Sequence, residues 1–233
     1  MIRIICPQDS TIKCVERQAR RMDRRLKETS IIYVVRPNDE SKTKCHWYLR
    51  QWGETELVVF MGHGRSDALI GSCGRYHDMV GGDEAKDRDS DEFYNDERFI
   101  DATNYDLMAG KKVVCFACNS DELAKHLVGA GAICVIGFGA MPSSKKELLA
   151  EGYNDIIINK TMLGMLNGAL NVAFREAMIM ATKMMGDMDD IAVYFKMEIR
   201  RQISLLLHSR SRHKFALANI LYDVAGTVKV VRP

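Results

Sequence analysis

Two short apolar runs, Leu57-Val58-Val59-Phe60 and Val113-Val114-Cys115-Phe116, are continuous rather than alternating, and both are partly β-branched. Such a run reads as a strand buried on both faces, the kind found in a parallel sheet covered by helices. Residues 2–6, 31–35 and 132–138 also read as strands. Helical patterns over about 11–28, 39–52 and 121–129 lie between these strands. This alternation predicts an α/β chain with a mostly parallel central sheet and helices on both faces. The helix over 11–28 carries Ile12, Val15, Ala19, Met22 and Leu26 on one stripe, with Lys13, Arg17, Arg20, Arg21, Arg24, Arg25 and Lys27 on the other face. Residues 145–188 read as mainly helical and methionine-rich, and a further helix covers about 190–208. The closing stretch, 215–231, is expected to hold one or two strands. No repeat or linker divides the 233 residues, which predicts a single domain over 1–233.

The residues just beyond each apolar run matter more for chemistry. The first run leads into Gly62-His63-Gly64 and the second into Ala117-Cys118-Asn119-Ser120. In an open α/β sheet, ligands bind beyond the carboxyl ends of the strands. One imidazole and one thiol are therefore delivered to the same edge. A thiol attacks carbonyls as its thiolate, and a nearby imidazole can take its proton. Cys118 is the candidate nucleophile and His63 the candidate general base. Gly64 is suited to an oxyanion hole, because a residue without a side chain lets a carbonyl approach the backbone. The Cys118 N–H is the second expected donor. A lone Gly-His-Gly turn is also read as a satisfied turn histidine, and a lone Cys118 as a small buried hydrophobe. The pair in this order is what favours catalysis.

These residues carry a resemblance. Val58-Val59-Phe60-Met61-Gly62-His63-Gly64, Val113-Val114-Cys115-Phe116-Ala117-Cys118-Asn119-Ser120 and Gly129-Ala130-Gly131-Ala132-Ile133-Cys134-Val135-Ile136-Gly137-Phe138 resemble the CHAT domains, which belong to the caspase-like (clan CD) cysteine peptidases. The resemblance spans about residues 55–140, and Ala218-Asn219 to Gly226 is only loosely similar to the family's closing strand. It implies a caspase-like three-layer sandwich and peptide-bond hydrolysis by a Cys118–His63 dyad, with Gly64 in the oxyanion hole and neither metal nor cofactor in the chemistry. It further implies a specific protein substrate, a signalling or defence role of prokaryotic type, and a separate activator or regulatory protein. The alternative is a catalytically inactive CHAT-like scaffold that binds a protein partner.

Alternate residues of a strand share a face, so Phe116 is expected beside Cys118, bordering an S1 pocket for an apolar or small P1 residue. Asp67 and Asp121 lie near the two turns and argue instead for a basic P1. Each also reads as helix N-terminal charge or solvated loop. Residues 83–101 hold nine acidic and three basic residues, a net −6 in a chain of +2, so the remainder carries +8. This polar acidic insertion, about 81–104, reads as a solvated loop, a lid or self-cleavable segment, or a calcium site. It lacks the spacing of a dedicated calcium loop. The basic run over 196–214 has no aromatic interleaving, so nucleic-acid binding is not expected. A nucleotide- or flavin-binding module is disfavoured, because no G-x-G-x-x-G or P-loop is present. Seven scattered cysteines, a first strand at the start of the chain and no long apolar run predict a cytoplasmic protein without a membrane span. Cys115 and Cys118 form a C-x-x-C, but residues three apart on a strand point to opposite sides, which argues against a redox or zinc pair.

Overall fold

The computed structural model describes residues 1–8, 13–53, 56–71, 98–154 and 156–233. Its elements run in chain order as β1 (Ile2–Pro7), α1 (Lys13–Leu26), β2 (Ser30–Val35), α2 (Asp39–Gln51), β3 (Leu57–Met61), β4 (Leu69–Ile70), β5 (Arg98–Ile100), β6 (Lys112–Phe116), α3 (Ser120–Gly129), β7 (Cys134–Gly137), α4 (Lys145–Ala150), α5 (Lys160–Lys183), α6 (Met188–Leu207), α7 (Lys214–Gly226) and β8 (Lys229–Val231). Six strands form one sheet in the order β2-β1-β3-β6-β7-β8. The first five are parallel, and β8 runs antiparallel to β7. The fold is therefore α/β with a mostly parallel sheet.

The continuous apolar runs are explained by two cores, one on each face of the sheet. Val59, Met61, Val114 and Phe116 join α1, α5, α6 and α7 in one core. Val58, Phe60, Val113 and Cys115 join α2 and α3 in the other. Each strand buries both of its faces, so neither can be polar. Of the α1 stripe, Ala19, Met22 and Leu26 are buried against the first core, and Ile12 lies outside the described residues. The Cys115–Cys118 pair divides as the strand period requires. Cys115 belongs to the second core, whereas Cys118 packs on the first.

Two sequence expectations need correction. The closing stretch holds one strand, Lys229–Val231, within the expected one or two, but residues 214–226 before it form helix α7. Leu217, Ile220, Leu221 and Val224 are among its buried residues. Their spacing of three, four and seven is helical and wraps one apolar stripe onto the core. The likeness of Ala218 to Gly226 to a closing strand therefore falls. The end of the acidic insertion is also regular. Arg98–Ile100 pairs antiparallel with Leu69–Ile70 as a two-stranded sheet. Asp101 then accepts from the backbone N–H and hydroxyl of Thr103. Residues 81–97 of the insertion, and Cys73, lie outside the described residues. No helix among the described residues is long and apolar enough to cross a membrane.

Candidate active site

β3 and β6 are neighbours in parallel, with Met61 level with Phe116. The backbone contact continues one step further, where the Gly62 N–H donates to the Phe116 carbonyl at 3.3 Å. Gly64 sits directly against the cysteine turn. A Cβ built on Gly64 would fall 2.7 Å from the Ala117 Cβ and 2.8 Å from the Cys118 carbonyl oxygen. Only a residue without a side chain fits there.

The His63 loop is braced from outside. Gly64 bridges Leu69, and this bridge is closed by Arg65 N–H to the Ala68 carbonyl at 2.8 Å and Ile70 N–H to the His63 carbonyl at 3.0 Å. The bonds are made by the residues flanking the bridged pair, so the Gly64 N–H is not spent on the ladder. Asp67 pairs with Arg98 at 2.7 Å, and its carbonyl accepts from the Tyr105 hydroxyl at 2.6 Å. Asp67 thus ties the histidine loop to β5.

The cysteine turn is built around two neighbours of Cys118. Asn119 adopts the left-handed conformation, φ 54°, which asparagine tolerates better than most residues. It turns the chain from β6 into α3, and its N–H donates to the Gly139 carbonyl at 3.0 Å. Ser120 is fully buried. Its Oγ lies 2.7 Å from the carbonyls of both Cys115 and Ala117 and accepts from the Phe138 N–H at 3.0 Å. One hydroxyl therefore fastens the end of β6, the cysteine turn and the end of β7 together. β7 approaches so closely that a Cβ on Gly137 would lie 2.4 Å from the Ser120 carbonyl oxygen. Sequence reasoning places Ser120 in the motif but assigns it no role. Its hydroxyl at the first turn of a predicted helix, beside a glycine-ended strand, is the signal that could have found it.

The Cys118 thiol is partly buried and donates to the Met141 carbonyl, with Sγ 3.0 Å from the oxygen. Burial raises its pKa to about 12, and the Glu147 carboxylate adds to that rise. Backbone contributions from Met141 and from Cys118 itself act the other way and are outweighed. In this arrangement Cys118 is a neutral thiol. Glu147 is held in place by the cap of α4, where its carboxylate accepts from Ser143 N–H, Ser143 Oγ and Ser144 N–H. The contact with Met141 is not legible in the sequence, because a backbone carbonyl leaves no mark there.

Phe116 shares the Cys118 side of the sheet but is 5% exposed. It stacks on Phe174 with centroids 4.1 Å apart and meets Phe138 edge-on at 5.3 Å. It is a core residue, packed against Phe138, Phe174 and Phe195. Asp121 lies in the first turn of α3 and pairs with Lys229 at 2.6 Å. Both acids expected to favour a basic P1 are thus engaged by cations of the chain itself. Among the described residues, no group of three or more His, Cys, Asp or Glu side chains is arranged to hold a metal ion.

No family model, curated protein or solved structure matches the chain.

Proposed function

We propose that this chain is a caspase-like cysteine endopeptidase acting on a specific protein partner. The observation that carries the reading is the parallel β3–β6 register, which brings the Gly62-His63-Gly64 and Ala117-Cys118 backbones together at the carboxyl edge of the sheet. In the reaction, His63 takes the thiol proton and Cys118 Sγ attacks the scissile carbonyl carbon. The N–H groups of Gly64 and Cys118 receive the developing oxyanion. The C–N bond breaks as His63 returns the proton to the leaving amine. Water, deprotonated by His63, then hydrolyses the thioester and restores the thiol.

A neutral thiol bonded to a carbonyl is not yet a nucleophile, so the state with Sγ on the Met141 carbonyl is a resting one. In this reading, catalysis requires relief of the burial and of the Glu147 carboxylate, the two influences that raise the Cys118 pKa most, which gives a separate activator or regulatory protein a physical task. The Cys118–Met141 contact also supports the second reading, an inactive CHAT-like scaffold that binds a protein partner. An apolar or small P1 residue is the proposed preference, resting only on the position of Phe116 two residues before Cys118 in the sequence. A cytoplasmic signalling or defence role rests on the family resemblance alone.

Digestion of a mixed-sequence peptide library by wild type and Cys118→Ala, with products sequenced by mass spectrometry, separates the readings. Cleavage by wild type alone supports the peptidase. Equal cleavage by both proteins removes Cys118 from the chemistry.

A further inference from the structure

Away from Cys118, a cavity of about 530 Å³ opens at the outer edge of the sheet, beyond β2. Sites for small ligands commonly span roughly 300–1,000 Å³. Its wall takes three consecutive residues of β2, including Tyr33, and receives Arg20 from α1, Arg36 from the β2–α2 turn and Lys44 from α2. Glu40 is the one carboxylate in the lining. Three cations against one anion make it an attractive place for negative charge.

The frame is already set. The Tyr33 hydroxyl donates to the Ser41 carbonyl at 3.0 Å, and Ser41 Oγ accepts from the Arg36 N–H at 2.9 Å. These bonds fix the Arg36 backbone against the start of α2, so a ligand would not have to order it. Arg20 shares its charge with Glu16, whose carboxylate oxygen lies 2.8 Å from Nη2. The Lys44 ammonium makes no ion pair or hydrogen bond among the described residues. Most of the charge available to a ligand therefore comes from Arg36 and Lys44, both exposed. The fork of a guanidinium matches a phosphate in two parallel hydrogen bonds, and an ammonium adds a compact point charge.

We infer that this cavity binds a small phosphate-bearing ligand, held by Arg36 and Lys44 with Arg20 in support. The inference is independent of whether Cys118 is a nucleophile.

Calorimetric titration of the full chain with pyrophosphate at fixed ionic strength tests it, using wild type, Arg36→Glu, Lys44→Glu and the distant control Arg201→Glu. The substituted residues are all exposed, and thermal unfolding checks that each variant is folded. Saturable one-to-one binding is expected, weakened at least tenfold by either cavity substitution and unchanged by the control. Three outcomes overturn the inference: no saturable binding, equal weakening by all three substitutions, or saturation by a glutamate-rich peptide that pyrophosphate does not displace.

Discussion

Cys118 Sγ lies 3.0 Å from the Met141 carbonyl oxygen, in a site whose burial, rather than an ion pair, sets the state of the thiol. The consequence is chemical silence. With the pKa raised to about 12, the thiolate fraction near pH 8 is roughly a thousandfold below that of an ordinary thiol with a value of 9.0. Iodoacetamide should therefore label Cys118 about a thousandfold more slowly than a free thiol at pH 8. Mapping of labelled peptides over time checks this. Rapid labelling at neutral pH would mean that the Cys118 thiol is not buried in solution.

Glu147→Gln removes one of the influences that raise the Cys118 pKa, while an amide oxygen can still accept from Ser143 and Ser144. Cys118 alkylation should accelerate several-fold, with the unfolding midpoint little changed. Comparing the pH profiles of the two proteins gives the direct readout, since the midpoint should move to lower pH in the variant.

Stability should fall in alkali. A thiol whose folded pKa lies above its unfolded value is neutral in both states below about pH 9, so its contribution is fully present there. Between 9 and 12 the unfolded chain loses the proton and the folded chain retains it. Stability is lost as pH rises through that window. Cys115, buried and likewise raised to about 12, acts in the same direction. Urea midpoints measured from about pH 8 to about pH 10.5 should decline. A flat profile would contradict the burial of these thiols.

Much of the frame is legible because it rests on local pattern. β3 and β6 are buried on both sides, and only continuous apolar runs satisfy that. Strand ends alone place His63 and Cys118. The features that escape have physical causes. The apolar residues of α7 invite an extended reading, although Leu217, Ile220, Leu221 and Val224 keep helical spacing. β4 and β5 are too short, at two and three residues, to leave a periodicity. The Met141 contact and the fastening of three segments by Ser120 are long-range interactions that local pattern does not encode.

Ser120→Ala should destabilise the fold by about 1–3 kcal/mol, because the buried Phe138 N–H loses its acceptor and the Cys115 and Ala117 carbonyls lose a donor. Denaturant unfolding measures the cost. A change within experimental error would show that the hydroxyl does not fasten these segments.

Gly64→Ala should abolish activity before it abolishes folding. The added carbon meets backbone at 2.8 Å and the Ala117 Cβ at 2.7 Å, so the histidine loop must move off the cysteine turn. A stability loss of about 1–3 kcal/mol accompanies such overpacking. Peptide cleavage beside a urea titration distinguishes the two effects. Retained activity would place the oxyanion hole elsewhere.

The most direct test of Cys118 as the nucleophile is the covalent intermediate itself. Wild type is mixed with the peptide library, quenched in acid and digested, and the Cys118 peptide is weighed. Once labelling shows the thiol exposed, an acyl adduct on Cys118 is expected, absent from Cys118→Ala and suppressed in His63→Ala. Cleavage that proceeds without the adduct would contradict a cysteine peptidase, as would the absence of both cleavage and adduct once labelling shows the thiol exposed.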